Sequence, residues 1–381
     1  MTSCGGIRSR IALELNRIWN TPLPALSGSP LWLVLTFFAI LYRKALRFAQ
    51  KRSLALQAER DLPAIVISVG NIVSGGTGKT PLTLWLARYL DERKWRTAIL
   101  SRGYGRKSKH IAPVTGLAVS QSQVELYGDE PLLLAGKLAP LPVWVGRRRR
   151  LSGQAAIRTA HAEVLLLDDG FQHLALARDL DLVLLDAMNP FGNGALLPLG
   201  PLREPIANLA RADAIILTHA NDRATMQRLR SQLNTWFPGK PVFACHHRPV
   251  GLRRGVGGPS MPPAMLRNQP VVAFAGIAHP EKFFAMVRDC GAEPLSCLVF
   301  PDHHVYEHRD IRSLLNVTRA TQSRFLITTE KDAVRLPTEI QALLLTLEIE
   351  MDFAEDHRDF CFYLDEQLAL ARSRLRERER H

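Results

Sequence analysis

The chain has 381 residues, of which 46% are hydrophobic, 22% charged and 7% aromatic, with a mean hydropathy of −0.03. That balance excludes a disordered chain, a collagen-like fibre and a polytopic membrane protein, and the length suits about two domains at roughly 100–200 residues each. Forty-nine Lys and Arg against 36 Asp and Glu leave a net charge of +13, which favours an anionic partner.

The surplus is concentrated at the start. Residues 1–60 carry nine basic side chains (Arg8, Arg10, Arg17, Arg43, Lys44, Arg47, Lys51, Arg52 and Arg60) against Glu14 and Glu59. The run Leu31 to Leu41 is eleven largely apolar residues, short of the ~20 that an α-helix needs to span a bilayer. Tyr42-Arg43-Lys44 follows where a secretory signal would have small residues, so a signal peptide is rejected. Val34, Phe38, Leu41, Ala45 and Phe48 fall on one helical face, bordered by Arg43, Lys44, Arg47 and Lys51. This pattern predicts a membrane-interface helix; the alternative is a helix packed into the core by that face.

Farther along, apolar runs alternate with helical patterns, as in a parallel sheet covered by helices. Strands are predicted at 64–69, 97–100, 142–145, 164–167, 182–185 and 214–217, then at 242–244, 271–275, 296–300, 325–328 and 347–351. The predicted division is an N-terminal membrane-associated segment 1–60, a P-loop core 61–245, a linker or hinge 246–269, a second α/β lobe 270–366 and a basic tail 367–381. The five cysteines, Cys4, Cys245, Cys290, Cys297 and Cys361, form no Cys-x-x-Cys pair. No zinc site or disulfide framework is expected, and a reducing compartment fits.

Directly after the strand 64–69 comes Ser74-Gly75-Gly76-Thr77-Gly78-Lys79-Thr80, and a helical pattern follows it. Strand, glycine-rich turn, Gly-Lys-Thr and helix are the context of a phosphate-binding loop. Backbone N–H groups of Ser74 to Gly78 would cradle phosphate oxygens, Lys79 would reach the β- and γ-phosphates of ATP, and the Thr80 hydroxyl would ligate Mg²⁺. The loop has Val73 where the usual spacing wants glycine. Asp168 and Asp169 end the buried run 164–167, where a carboxylate pair can hold Mg²⁺ and its water shell; Asp186 is the second candidate.

A kinase also needs a group for the acceptor proton and cations for the developing charge. Candidates lie in loops after predicted strands: Ser101 to Arg106, Tyr127 to Pro131, the four arginines 147–150, Pro198 to Pro205, and Phe300 to His304. Each has a plain alternative, since acids before a helix often cap it and an arginine run is usually a solvated face.

Together these segments resemble the tetraacyldisaccharide 4′-kinase family of lipid A biosynthesis. The matching elements are Val69-Gly70-Asn71 with the loop, Ser101-Arg102-Gly103-Tyr104-Gly105, Gly128-Asp129-Glu130-Pro131 and Asp168-Asp169-Gly170-Phe171-Gln172-His173. They continue with Leu197-Pro198 through Glu204-Pro205, Phe300-Pro301-Asp302-His303 and Thr328-Thr329-Glu330-Lys331-Asp332. The resemblance implies ATP- and Mg²⁺-dependent phosphorylation of the 4′-hydroxyl of tetraacyldisaccharide 1-phosphate, an anionic glycolipid, giving lipid IVA. It implies a P-loop NTPase-type α/β fold with a second, smaller α/β lobe, the two joined by a β-stranded hinge. It also implies attachment to the cytoplasmic face of the bacterial inner membrane, and no nucleic-acid partner is expected. Carried over by motif, Asp129 and His303 form a base dyad with Lys79 as the phosphate cation. Asp168, Asp169 and Glu204 join Thr80 around the metal, and Tyr104, Glu130, Arg149 and Arg203 line the substrate. With Asp129 read into the P-loop core and His303 into the second lobe, the dyad is expected to form only when the lobes close. The rival reading is a P-loop switch or partitioning ATPase, which needs no acceptor base.

Overall fold

The computed structural model describes residues 14–15, 17–26, 28–55, 62–114, 121–219, 222–255, 258–341 and 343–380. Cys4, Arg8, Arg10, Glu59 and Arg60 lie outside them. Fourteen strands are present among the described residues: β1 (Ile65–Asn71), β2 (Thr97–Ser101), β3 (Ala112–Pro113), β4 (Val143–Val145), β5 (Val164–Asp168), β6 (Leu180–Asp186), β7 (Ala214–Thr218), β8 (Val242–Ala244), β9 (His246–Arg254), β10 (Ser260–Met261), β11 (Pro270–Ala275), β12 (Glu293–Val299), β13 (Phe325–Thr329) and β14 (Leu344–Asp352). Every apolar run read as a strand is one. The three not expected are β3, β9 and β10, where the apolar signal is missing. β9 reads His-His-Arg-Pro-Val-Gly-Leu-Arg-Arg and buries only Gly251 and Leu252 fully; the stretch that periodicity alone left as a linker or hinge contains this strand.

The described chain folds as two compact units. One contains the residues up to Arg102, Gly146–His247 and Met351 onward; the other contains Gly103–Val145 and Arg248–Glu350. Segment 103–145 therefore leaves the P-loop core to which it was assigned from sequence. Residues from 351 onward, expected in the second lobe and tail, return to the phosphate-loop unit.

In the phosphate-loop unit the strands run in the order β2-β5-β1-β6-β7-β8, every pair parallel. β1, β5 and β6 are buried along their whole length, because helices cover both faces of a parallel sheet. Val69 is in register with Asp168, so the phosphate loop and the Asp168–Asp169 pair leave neighbouring strands at one level. The helix Lys79–Glu92 buries Leu82, Leu86, Ala87 and Leu90. The C-terminal helix His357–Arg380 buries Phe360, Leu364, Leu368 and Ala371 and packs against β1. Tyr89 donates to the carboxylate of Asp365 at 2.7 Å, fixing that helix to the one after the loop.

The N-terminal helix Pro30–Ala55 belongs to this unit. Its packing face holds buried Ala39 and half-buried Tyr42, Leu46 and Gln50. Tyr42 donates to the Arg203 carbonyl at 2.8 Å, and Gln50 donates to Glu204 at 2.8 Å. The predicted apolar stripe is on another face. Val34, Phe38, Leu41 and Phe48 are 51%, 51%, 44% and 69% exposed, which speaks against burial of that stripe in the core.

In the other unit the strand order is β10-β9-β14-β13-β11-β12, with β11, β12, β13 and β14 pairing in parallel. Its apolar core gathers Val271, Ala273, Phe283, Val287, Ile327 and Leu345 on one side. Phe274, Phe300, Tyr306 and Leu314 lie on the other.

Candidate active site

The residues expected to carry the chemistry form two clusters, one in each unit. The first is the phosphate loop. Gly78, at φ +90°, turns the chain into the helix Lys79–Glu92, a left-handed conformation that suits glycine. Asn71 donates to the Thr77 hydroxyl at 2.9 Å and the Ser74 N–H to the Pro201 carbonyl at 2.7 Å, so the loop is braced at both shoulders. Thr80 lies in the first turn of that helix.

Around the loop, Asp168 is buried and accepts from Thr83 at 3.2 Å. Asp169 adopts φ +53°, a conformation uncommon outside glycine that recurs at functional sites. Its carboxylate receives the Arg203 guanidinium at 3.0 and 3.1 Å and lies 3.8 Å from the Lys79 ammonium. Burial would raise its pKa, but Lys79, Arg203 and Arg149 reverse the effect and hold it near 2. Of the four arginines 147–150 only Arg149 is fully buried. It donates to the carbonyls of Gly146 at 2.7 Å and Asp168 at 3.3 Å, so Arg149 is the arginine aimed at the acid pair.

Glu204 was expected among the metal-managing acids, and its surroundings differ from that expectation. It is unexposed and accepts from Gln50, Asn208 and Arg211 on one oxygen and from Gln172 and Arg211 on the other. Five donors fill a carboxylate that offers about four lone-pair sites. Glu204 thus ties the N-terminal helix to Gln172, which also donates to the Asn71 carbonyl at 2.8 Å. Among the described residues no group of three or more His, Cys, Asp or Glu has metal-binding geometry. Thr80, Asp168 and Asp169 suit a Mg²⁺ that keeps waters and phosphate oxygens as its other ligands.

The second cluster is built on the helix Asp129–Leu138 and the segment after β12. His303, at φ +57°, turns its Nδ1 to Asp129 Oδ2 at 3.0 Å. The expected lobe-split dyad is not what is found: both residues are in one unit and are already hydrogen-bonded. Arg335 donates to the same oxygen at 2.8 Å, and the other carboxylate oxygen accepts the Glu130 N–H at 3.0 Å. Burial pushes the Asp129 pKa up, but His303, Arg335 and Lys331 outweigh it and hold the carboxyl well below the usual range. The neighbouring imidazole is engaged elsewhere, since His304 pairs with Asp310 at 2.9 Å. Tyr104 is exposed and its ring centroid is 5.5 Å from that of His303. Glu130 accepts from Lys331 at 3.0 Å.

The expected residues thus separate into two groups. Ser74 to Thr80, Arg149, Asp168, Asp169, Arg203 and Glu204 lie in one unit, and Tyr104, Asp129, Glu130 and His303 in the other. Sequence reasoning gave no part to Arg335 or Lys331. Lys331 lies within the Thr328 to Asp332 motif and Arg335 three residues beyond it; Thr329 caps the short helix there by accepting the Asp332 N–H, and that cap signature was the available signal.

Comparison with known proteins shows the family. The family model for the tetraacyldisaccharide-1-P 4′-kinase matches residues 31–369. A tetraacyldisaccharide 4′-kinase of Syntrophobacter fumaroxidans is 46% identical over 358 residues, covering 94% of this chain and 93% of the relative. One of Syntrophus aciditrophicus is 41% identical, covering 88% and 93%. The crystal structure of LpxK from Aquifex aeolicus in complex with ATP superposes with a TM-score of 0.68 at 30% identity, covering 90% of this chain and 99% of that one. With residues 31–369 matched by the family model and relatives of 41–46% identity matched over most of its length, the chain belongs to the tetraacyldisaccharide-1-P 4′-kinase family.

Proposed function

We propose that this chain transfers the γ-phosphate of ATP to the 4′-hydroxyl of a tetraacyldisaccharide 1-phosphate, with His303 taking the hydroxyl proton. The observation that carries the assignment of roles is the 3.0 Å contact between His303 Nδ1 and Asp129. A carboxylate held ionised accepts the Nδ1 proton, which leaves Nε2 as the basic nitrogen. Asp129 is itself buried and held by Arg335, whereas the His303 side chain is 32% exposed. The imidazole is therefore the member of the pair that a substrate can reach.

In the phosphate-loop unit, the N–H groups of Ser74 to Gly78 and the Lys79 ammonium bind the triphosphate. Lys79, Arg203 and Arg149 hold Asp169 ionised, and the two guanidiniums add positive charge for the transferring group. Thr80, Asp168 and Asp169 would hold Mg²⁺, which supplies charge neutralisation on the phosphates when bound. Glu204 acts by positioning Gln172 and Arg211. Tyr104 and Glu130 line the acceptor side.

The substrate is an anionic lipid, and the exposed stripe of the N-terminal helix, bordered by Arg43, Lys44, Arg47 and Lys51, fits attachment to an anionic membrane surface on the ATP-containing side. No helix among the described residues is long and apolar enough to cross a membrane. A switch ATPase has no use for the Asp129–His303 pair. The test is transfer of γ-phosphate to purified tetraacyldisaccharide 1-phosphate in mixed micelles. Transfer is expected in the wild type and a loss of at least about a hundredfold in Lys79→Ala and in His303→Ala. ATP hydrolysis without transfer would sink the lipid-kinase reading.

A further inference from the structure

The motif Thr328-Thr329-Glu330-Lys331-Asp332 has a different task for each charged side chain. Asp332 is unexposed and accepts from Tyr306 at 2.9 Å, the Gly276 N–H at 3.0 Å and Arg335 at 3.3 Å. Glu330 pairs with Lys137. Lys331 alone turns its head group to the dyad, with Nζ 3.3 Å from His303 Nε2 and 3.0 Å from Glu130 Oε1.

We propose that Lys331 is a further catalytic residue, whose ammonium holds the Nε2 lone pair of His303 until the acceptor hydroxyl takes that place and then stabilises the charge that develops on the acceptor oxygen. The inference rests on the reading of His303 as the proton acceptor. With Nδ1–H donating its hydrogen bond to Asp129, Nε2 carries a lone pair, and an ammonium can only donate to it. The acceptor O–H must use the same lone pair, so the arriving hydroxyl displaces one N–H of Lys331 and brings its oxygen beside Nζ. In the transfer the O–H bond breaks and the proton passes to Nε2. The acceptor oxygen bonds to the γ-phosphorus, and the bond from that phosphorus to the bridging oxygen of ADP breaks with its electron pair left on ADP. A cation next to the attacking oxygen opposes the charge that forms there, an interaction stronger in the transition state than before it. Burial disfavours the charge on Lys331, but Glu130, Asp302 and Asp129 outweigh it and raise its pKa above the usual lysine value. Lys331 is therefore an ammonium at every pH at which the enzyme would work.

The charged groups around His303 are Asp129 at Nδ1, Lys331 at Nε2 and Asp302 at 4.0 Å from Nε2. Arg335, Asp332 and Glu130 are one group further out. Among these only Lys331 and Arg335 are cations, and only Lys331 touches the ring. The experiment is steady-state kinetics of the full chain in mixed micelles against pH, with melting curves to show that each variant is folded. Lys331→Met is expected to lower kcat on the order of a hundredfold with KM for ATP unchanged. It is also expected to move the low-pH limb of kcat/KM to higher pH, because losing a cation beside Nε2 favours the imidazolium. Lys331→Gln carries the same test if the Met variant does not fold, and Lys331→Arg should recover part of the rate with the wild-type midpoint. A wild-type midpoint in Lys331→Met, with the same loss of kcat in Glu130→Gln, would overturn the proposal and make the lysine an anchor for Glu130. So would a kcat within about twofold of wild type. Wild-type transfer by His303→Ala is a separate failure, that of the base assignment.

Discussion

Asp169 and Asp129 are both held ionised, and their neighbours set their tasks. Asp169 faces Lys79 and Arg203, the cations proposed to bind phosphate. Asp129 shares one oxygen between a guanidinium and an imidazole, the imidazole being the proposed base. A third carboxylate is structural. Glu348 is buried and accepts from Ser260 at 2.7 Å, Arg253 at 2.9 Å and Lys137 at 3.1 Å. Burial alone would raise its pKa, but these donors bring it down from 4.5 to about 2. A depressed carboxylate pKa contributes stability that is complete above the ordinary value and is lost as the pH falls toward the folded value. Glu348→Gln is therefore expected to cost on the order of 3 kcal/mol at pH 7. Denaturant titrations should show that gap closing between about pH 5 and pH 2; a gap that persists at pH 2 would mean packing rather than charge. At this scale the sequence was legible where chemistry is local. Gly-Lys-Thr and Asp168-Asp169 are contiguous motifs, and their neighbours carry out the work. Arg335 and Glu204 were not legible, because their partners lie 206 and 154 residues away in Asp129 and Gln50.

Among the elements, β1 carries the tightest requirement. A Cβ at Gly70 would lie 2.5 Å from the Phe171 Cβ and 2.7 Å from its backbone N, because the chain leaving β5 crosses directly over the end of β1. Gly70→Ala is expected to destabilise by about 1–3 kcal/mol or more through overpacking. It should also weaken ATP binding by pushing Asp168 and Asp169 away from the loop; urea unfolding and ATP titration check the two effects. Unchanged stability would show that Phe171 can yield. The buried parallel strands were legible because burial on both faces makes them unbroken apolar runs. β9 was not, since its residues are half-buried, polar and interrupted by Pro249. The C-terminal helix was missed for another reason. Its arginines give it the composition of a solvated tail, while Leu364, Leu368 and Ala371, spaced i, i+4 and i+7, carry the packing signal to within ten residues of its end.

For the whole molecule, the N-terminal helix separates two tasks. Tyr42 and Gln50 fasten one face to the phosphate-loop unit, leaving Val34, Phe37, Phe38 and Leu41 exposed together. Replacing Val34 and Phe38 by Ser removes two apolar side chains worth roughly 1.5–3 kcal/mol each on burial. Partitioning onto anionic vesicles is expected to fall at least about tenfold, with ATP affinity unchanged. Equal partitioning of the variant in a sedimentation assay would move the membrane contact elsewhere. The division into units was the least legible feature. Segment 103–145 has the strand–helix pattern of its flanks, and nothing local marks its departure.

The phosphate-loop unit is assembled from three separated stretches, and its last stretch closes it. Phe360 stacks on Phe353 with centroids 4.3 Å apart and packs on Trp85 at 5.4 Å, so the helix after the phosphate loop gains its cover from residues near the chain's end. A ribosome extends a chain at about 5–20 residues per second. The roughly 280 residues between Lys79 and Phe360 therefore take about 15–60 seconds to make. Through that interval the nascent chain already holds every residue of the nucleotide loop, yet the hydrophobic roof over its helix has not been synthesised. The cover that Phe353 and Phe360 give to Trp85 is thus completed long after the loop itself is made, and until then the apolar face of that helix stands open to water.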